Sequence, residues 1–121
     1  CINNINNKNY DLTLIEGVGG TMVPINEKYT IMDLIIALNI PVILTIGSYL
    51  GSISHTLNAY EILNKHNINV SSVVMMQSEI NDVGCEATLN SLENYIKDSP
   101  IIYFKRNDID YLKVDKILNY L

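Results

Sequence analysis

A glycine-rich segment with a single carboxylate is the first part of this sequence that could do chemistry. Glu16 follows a short apolar run, and Gly17, Gly19 and Gly20 come soon after it. Glycines let backbone N–H groups approach an anion closely, and Mg²⁺ takes few protein oxygens while water and phosphate complete its shell. The segment therefore predicts a magnesium–phosphate site. The alternative is a tight turn whose glycines serve only positive φ angles.

A second candidate segment, residues 47–56, joins a predicted strand to a predicted helix. The N–H groups at the start of a helix lack partners and carry partial positive charge, so they can receive an anion. Ser52 or Ser54 is predicted to lie near the cap, and ordinary capping is the alternative explanation of this segment. His55 lies one turn into the helix, where a packing or capping role is predicted rather than a catalytic one.

A third candidate is Gln77, which follows the next predicted strand. A side-chain amide both donates and accepts hydrogen bonds, so it can recognise the edge of a nucleotide base. A plain polar loop is the alternative. The sequence contains no G-x-x-x-x-G-K-[ST] P-loop motif, and no serine–histidine–aspartate set, zinc cluster or glycosidase carboxylate pair is recognisable.

The elements that must position these residues alternate between strand and helix. Apolar, β-branched runs predict strands over residues 11–15, 41–46, 70–76 and 100–104. Helical spacing predicts helices that begin after Thr30 and that cover residues 52–65, 85–97 and 114–121. The alternation predicts an α/β fold with a parallel sheet, as one unit over residues 1–121. Ligands of such sheets bind beyond the carboxyl ends of the strands.

The composition limits the classes of partner. The 121 residues include 13 acidic and 8 basic ones, a net charge of -5, which argues against a nucleic-acid partner. No apolar run reaches the roughly 20 residues that a membrane helix needs, so no membrane partner is predicted. Cys1 and Cys85 form neither a metal motif nor a disulfide framework, which predicts reduced thiols in a cytoplasmic protein.

Three segments taken together resemble the dethiobiotin synthetase family of biotin biosynthesis. Residues 11–24 are similar to the family's strand followed by E-G-x-G-G-x-x-V-P, and residues 32–44 to D-L-x-x-x-L-x-x-P-V-I-L. Residues 50–57 are similar to its helix start, L-G-x-I-N-H-T-L. The order and spacing of these segments carry the resemblance, which thins beyond residue 77.

The resemblance implies a P-loop NTPase-like fold, with helices flanking a parallel sheet in three layers, in a homodimer. It also implies a reaction, the ATP-dependent ring closure of 7,8-diaminononanoate with CO₂ to dethiobiotin. In that reaction an amine takes up CO₂ as a carbamate, ATP converts the carbamate to a carbamic–phosphoric anhydride, and the second amine closes the ring. ATP is thus a co-substrate, and Mg²⁺ is the implied metal.

The same resemblance implies roles for particular residues. Glu16 corresponds to the family's Mg²⁺-binding glutamate, and with Gly17, Val18 and Gly19 it lies near the ATP phosphates. The helix start that receives the substrate's carboxylate corresponds to Leu50, Gly51, Ser52, Ile53 and Ser54.

Two positions near these sites depart from the family pattern. Ser54 stands where the family usually has asparagine. Met76 stands where the adenine-binding asparagine is expected, and Gln77 beside it is the ATP-binding residue that the resemblance suggests instead.

The family's P-loop and its two active-site lysines belong to a part that precedes the matched segments. Since that part does not occur here and Cys1 is the first residue, the chain is expected to be a C-terminal portion that supplies part of the site. No catalytic residue is then expected in this chain, and the isolated chain is expected to be inactive. The alternatives are a non-catalytic or degenerate half that serves binding or dimerisation, and a related P-loop ATPase.

Overall fold

The computed structural model describes residues 11–79, 84–107 and 110–121, so Cys1 lies outside the described residues. The chain divides into two compact units, with the boundary after Asn39. The first unit contains helix α1 (Ile31–Leu38). The second contains β1 (Val42–Gly47), α2 (Ser52–Lys65), β2 (Val70–Met76), α3 (Cys85–Tyr95), β3 (Ile101–Phe104) and α4 (Tyr111–Leu118).

The second unit is built on a sheet of three parallel strands in the order β1-β2-β3. Gly47 of β1 pairs with Met76 of β2, and Met76 in turn pairs with Phe104 of β3, so the three strands end side by side. Neighbouring parallel strands need crossover connections, which α2 and α3 provide. Because such crossovers are almost always right-handed, two in the same direction are expected to place both helices on one face of the sheet. The two helices contact each other, in agreement with this expectation. The predicted parallel α/β fold is confirmed.

One face of the sheet carries the most deeply buried side chains. Val73 and Met75 of β2 are fully buried, as are Leu63 of α2 and Leu92 of α3. Successive residues of a strand point to opposite faces, so Val73 and Met75 share the face that the crossover helices cover. Each buried leucine contributes about 1.5–3 kcal/mol relative to an exposed one.

The opposite face of the sheet packs against α4. Val74, Ile102 and Phe104 form a buried cluster there, and Val114 and Ile117 of α4 pack against it. Helices therefore cover both faces of this sheet, which is the three-layer arrangement predicted.

Helix α1 of the first unit begins with a reciprocal capping box. The Thr30 hydroxyl accepts a hydrogen bond from the Asp33 N–H at 3.3 Å, and the Asp33 carboxylate accepts one from the Thr30 N–H at 2.7 Å. The helix ends at Asn39, whose φ of 49° lies in the left-handed region that asparagine tolerates. The helix predicted after Thr30 is confirmed.

The strand predicted over residues 11–15 is not formed. Leu12 and Leu14 are 48% and 70% exposed, and no described strand pairs with this segment. An apolar run becomes a buried strand only where neighbouring strands supply hydrogen bonds and other elements cover its faces, and the described residues do neither here.

Three helix bounds also differ from the prediction, one of them the end of α4 at Leu118 rather than at residue 121. Helix α4 begins at Tyr111 rather than at residue 114, because the Asp110 carboxylate accepts a hydrogen bond from the Leu112 N–H at 3.1 Å and so caps it early. Helix α3 ends at Tyr95 rather than at residue 97. Over the three described stretches of chain, no helix combines the length and the apolar character needed to span a membrane.

Candidate functional site

A glycine lies at the junction between the β1–α2 loop and the start of α2. Gly51 is the N-cap of α2 with a φ of 91°, and no side chain caps this helix start. Ser52 follows the N-cap directly and so lies near the cap, as predicted, but neither Ser52 nor Ser54 caps the helix with its side chain. Because glycine adopts positive φ without steric cost, the chain makes this turn through Gly51 alone.

The start of α2 leaves donors available to a ligand. The Ser52 N–H donates to the Tyr49 carbonyl at 3.0 Å and the His55 N–H to the Gly51 carbonyl at 3.1 Å. The N–H groups of Ile53 and Ser54 have no acceptor among the described residues. Together with the helix dipole, two such donors can receive a carboxylate or a phosphate.

The side chains around this helix start differ in exposure. Leu50 is 74% exposed, whereas Ser52 is only 2% exposed. Ile53 is half-buried, and Gly51 and Ser54 are exposed. A ligand at this position therefore meets the Leu50 side chain and the exposed backbone, while Ser52 packs inward.

His55 is joined to the same loop. The Tyr49 hydroxyl lies 3.0 Å from Nδ1 of His55, and the two ring centres are 5.8 Å apart. The contact ties the loop to the first turn of α2. That His55 serves packing or capping rather than catalysis stays a prediction.

Two serines link the loops that follow β1 and β2. The Ser48 N–H donates to Oγ of Ser78, and the Ser78 N–H donates to Oγ of Ser48, both at 2.9 Å. A Cβ atom on Gly47 would lie 2.7 Å from Oγ of Ser78, so glycine is what permits this close approach. Ser48 lies within the candidate segment 47–56 and Ser78 follows Gln77, but sequence reasoning singled out neither serine. The available signal was a serine just beyond the end of each of two adjacent predicted strands.

Gln77 lies at the same edge of the sheet. Its backbone N–H donates to the Phe104 carbonyl at 3.0 Å, and its side-chain Oε1 accepts from the Arg106 N–H at 3.2 Å. Met76 beside it is 45% exposed, and its side chain brings no hydrogen-bond donor and only a weak thioether acceptor. Gln77 and the segment 50–54 thus lie on one edge of the sheet, with Ser48 and Ser78 between them.

The glycine-rich segment belongs to the first unit. Glu16, Gly17, Val18 and Gly19 are all exposed, so both the carboxylate and the backbone are open to a ligand. No group of three or more metal-binding side chains occurs in the described residues. A lone exposed carboxylate beside open backbone suits Mg²⁺, which takes most of its ligands from water and phosphate.

The same segment is a tight turn, as the alternative explanation required. Gly19 has a φ of 91°, and a Cβ atom there would lie 2.8 Å from Cγ2 of Val23. The Val23 N–H donates to the Gly20 carbonyl at 3.2 Å, and the Ile31 N–H donates to the Val23 carbonyl at 2.9 Å. These bonds anchor the turn to the start of α1. The segment is therefore a tight turn whose backbone is also exposed, so the two explanations of its glycines do not exclude each other.

One thiol–phenol contact lies between α3 and β3. The hydrogen bond to the Cys85 side chain, followed by burial and by the charge of the ionised thiol, raises the pKa of Tyr103 to about 12. Cys85 forms no disulfide with any of the described residues.

Comparison with known proteins extends these observations. A family model described as an AAA domain matches residues 2–109. The ATP-dependent dethiobiotin synthetase BioD of Acidiphilium cryptum is 46% identical over 87 residues, which are 72% of this chain and 39% of the relative. That of Phenylobacterium zucineum is 53% identical over 68 residues, 56% of this chain and 29% of the relative. That of Francisella tularensis subsp. holarctica is 33% identical over 114 residues, 93% of this chain and 52% of the relative.

These relatives confirm the resemblance to dethiobiotin synthetases that the sequence motifs indicated. The chain spans about half the length of the curated relatives it matches, or less. The three-stranded parallel sheet with helices on both faces agrees with a P-loop NTPase-like fold. Because the family model matches most of its residues, the chain belongs to the AAA-domain family that this model describes.

Proposed function

We propose that this chain is part of an ATP-dependent carbon–nitrogen ligase that closes 7,8-diaminononanoate with CO₂ to dethiobiotin. The observation that carries the proposal is the match of 114 residues to a dethiobiotin synthetase. In a chain of 121 residues, a match of that length includes both the glycine-rich segment and the start of α2.

The proposed reaction has three steps. A substrate amine forms a bond to the carbon of CO₂ and loses a proton, which gives a carbamate. A carbamate oxygen then bonds to the γ-phosphorus of ATP, and ADP leaves. The second amine attacks the carbamate carbon and loses a proton, phosphate leaves, and the ureido ring closes. Positioning and charge stabilisation are the protein's main contributions to such phosphoryl transfer.

In this proposal Glu16 is a ligand of Mg²⁺, which when bound neutralises charge on the phosphates. The exposed backbone of Gly17, Val18 and Gly19 lies against the ATP phosphates. No residue of this chain is assigned a proton transfer or a covalent step, in keeping with the expectation that it supplies only part of the site. The phosphate-binding P-loop motif does not occur in its sequence.

The start of α2 is proposed to receive the carboxylate of the diaminononanoate. The unpartnered N–H groups of Ile53 and Ser54 support this role, because they lie at the positive end of the helix dipole. The exposed Leu50 side chain offers apolar contact to the methylene chain that follows the carboxylate. Gln77, at the same sheet edge, is proposed to contact the nucleotide base.

The proposed assembly is a cytoplasmic homodimer in which the start of α2 serves the neighbouring subunit's site. The chain is proposed to form one α/β portion of the synthetase domain. The net charge of -5 supports the absence of a nucleic-acid partner.

A second candidate function is a non-catalytic binding or dimerisation module. It is favoured by Met76, whose side chain has no hydrogen-bond donor and only a weak thioether acceptor at the position where an adenine-binding asparagine is expected. The hydrogen bond from the Arg106 N–H to the Gln77 side chain also favours this second function, because it engages the amide oxygen that a base could otherwise use.

A phosphate-release assay tests the proposal. It uses the longest continuous reading frame that contains this chain, with ATP, Mg²⁺, bicarbonate and 7,8-diaminononanoate. We expect phosphate release that requires the diamine, with dethiobiotin identified by mass spectrometry. Reactions without diamine or bicarbonate are the controls. A folded protein with no diamine-dependent release would favour the binding module, and turnover by the 121-residue chain alone would contradict its expected inactivity.

A further inference from the structure

The imidazole ring of His55 lies beside the turn that begins α2. Side chains of a helix lean toward its N-terminus, so a residue four positions after the N-cap Gly51 covers the first turn. A Cβ atom on Gly51 would lie 3.9 Å from Cε1 of His55, which is an ordinary contact distance. Cε1 is bonded to both ring nitrogens, so the polar edge of the ring also lies close to this turn.

Only one of the two nitrogens of the His55 ring has a partner in the described part of the chain. Nδ1 lies 3.0 Å from the Tyr49 hydroxyl, whereas Nε2 has no partner there and the side chain is exposed. When the Tyr49 hydroxyl donates to Nδ1, the proton of the neutral ring is on Nε2. The protonated ring also carries an N–H at Nε2. Both forms of the ring therefore present a donor that a ligand can use.

The charge and hydrogen-bonding needs of a carboxylate match this donor. A carboxylate has about four acceptor positions, and the free N–H groups of Ile53 and Ser54 supply two donors. The segment 47–56 contains no lysine or arginine, so His55 is its only side chain that can carry a positive charge. A hydrogen bond to a carboxylate is stronger than one between neutral groups.

We propose that His55 is a substrate-binding residue whose Nε2–H donates to the carboxylate held at the start of α2, with Tyr49 orienting the ring. This inference rests on the proposed function, which brings the carboxylate of the diaminononanoate to this helix start. In the proposed homodimer, His55 serves the same neighbouring site as the N–H groups of Ile53 and Ser54. The role is binding, and no proton is transferred in it.

Two substitutions of His55 distinguish a donor from a packing residue. His55→Phe keeps an aromatic ring against Tyr49 but has no N–H, whereas His55→Gln loses the ring and keeps a side-chain N–H donor. His66→Phe is the matched control, because His66 is also exposed but is the C-cap of the same helix. All variants are made in the longest continuous reading frame that contains the chain.

Steady-state kinetics measure the contribution of the donor. We expect His55→Phe to raise the KM for 7,8-diaminononanoate about tenfold, the effect of one hydrogen bond to a charged group, and to change kcat less than about twofold. His55→Gln and His66→Phe are expected to stay within about threefold of the unmodified protein. An unchanged KM in His55→Phe, or a larger rise in His55→Gln than in His55→Phe, would overturn the donor role.

The Tyr49 hydroxyl is tested through Tyr49→Phe, which keeps the ring and removes the hydrogen bond to Nδ1. We expect a smaller rise in the same KM than His55→Phe gives, because the imidazole remains while neither nitrogen is favoured as the donor. An unchanged KM in this variant would overturn the orienting role of Tyr49.

A substrate analogue shows whether His55 acts on the carboxylate itself. In this analogue a methyl group replaces the carboxylate of the diamine. We expect His55→Phe and the unmodified protein to have equal kcat/KM for it, because the contact is absent in both. A loss of about tenfold that persists with the analogue would overturn the proposal.

A binding measurement distinguishes failure of this proposal from failure of the proposed function. With carbon-13-labelled histidine, the Cε1–H NMR signal of His55 is identified by its loss in His55→Phe. We expect it to shift on addition of 7,8-diaminononanoate without ATP, and not on addition of the methyl analogue. A shift without diamine-dependent turnover would retain the carboxylate contact and reject the ligase reaction. Turnover without a shift would reject the contact alone, and the absence of both would reject both.

Discussion

The side-chain oxygen of Gln77 accepts a hydrogen bond from the backbone N–H of Arg106, with 3.2 Å between the two atoms. The bond ties the end of β2 to the segment that follows β3. It also means that Gln77 presents mainly its amide N–H₂ group to any ligand at this edge, since the amide nitrogen has no partner in the described part of the chain. A donor-only group matches base edges that carry acceptors.

Weak discrimination between purine nucleotides is therefore expected. Guanine offers two acceptors on one edge, whereas adenine offers an acceptor beside a donor, so the free N–H₂ of Gln77 suits either base. We expect kcat/KM for ATP and GTP to differ by less than about tenfold. Met76→Asn adds an unoccupied amide and should raise the preference for ATP, while Met22→Asn, at another exposed methionine, should not. A strong preference for ATP in the unmodified protein would contradict this assignment.

In the longest continuous reading frame that contains this chain, Glu16→Gln should abolish most turnover without unfolding the protein. In the proposed site Glu16 would hold the Mg²⁺ that neutralises charge on the phosphates, so its loss is expected to lower kcat about a hundredfold or more. Glu16 is exposed, so the free energy of unfolding should change by no more than about 0.5 kcal/mol. Urea denaturation and the phosphate-release assay measure the two effects. Glu27→Gln, an exposed glutamate of the same unit, is the control, and equal turnover in the two variants would remove Glu16 from the site.

Gly19→Ala should destabilise the glycine-rich turn, whereas Gly20→Ala should not. Gly19 has a φ of 91°, and its new Cβ would meet Cγ2 of Val23 at 2.8 Å, while a Cβ on Gly20 would meet nothing within 4 Å. The positive φ alone is expected to cost about 1–2 kcal/mol. Chemical denaturation of both variants gives the difference. Equal stability would show that the turn relaxes to a negative φ.

Tyr103 should make the protein less stable as the pH rises from about 10 to about 12. The hydrogen bond to Cys85, with burial, raises the folded-state pKa of Tyr103 to about 12 from the ordinary tyrosine value of 10.0. In this range the unfolded chain releases the phenol proton while the folded chain retains it, so rising pH favours unfolding. The full contribution of this group is present below pH 10.

A difference titration isolates this group from the other tyrosines. The tyrosinate absorbance of the Tyr103→Phe variant is subtracted from that of the unmodified protein at each pH. Cys85→Ala removes the hydrogen bond and should move the Tyr103 transition toward lower pH. An unchanged Tyr103 transition in this variant would show that burial, rather than the hydrogen bond, raises the Tyr103 pKa.

Local sequence patterns were sufficient to predict most helices and strands, because their causes are short-range. The capping pair Thr30 and Asp33 lies within one turn of α1. The apolar runs that became β1, β2 and β3 are bounded by turn residues at both ends. The family motifs were equally local, and they identified the segments around Glu16 and Leu50 as candidate ligand-binding loops.

Long-range contacts explain what the sequence patterns missed. Residues 11–15 have an apolar pattern, but a strand requires partners, and none is present in the described residues. The pairing of Ser48 with Ser78 and of Gln77 with Arg106 depends on three strands ending in register, with Gly47 beside Met76 and Met76 beside Phe104. No pattern within a single segment specifies which loops meet at that edge, since the strand order and register of the sheet bring them together.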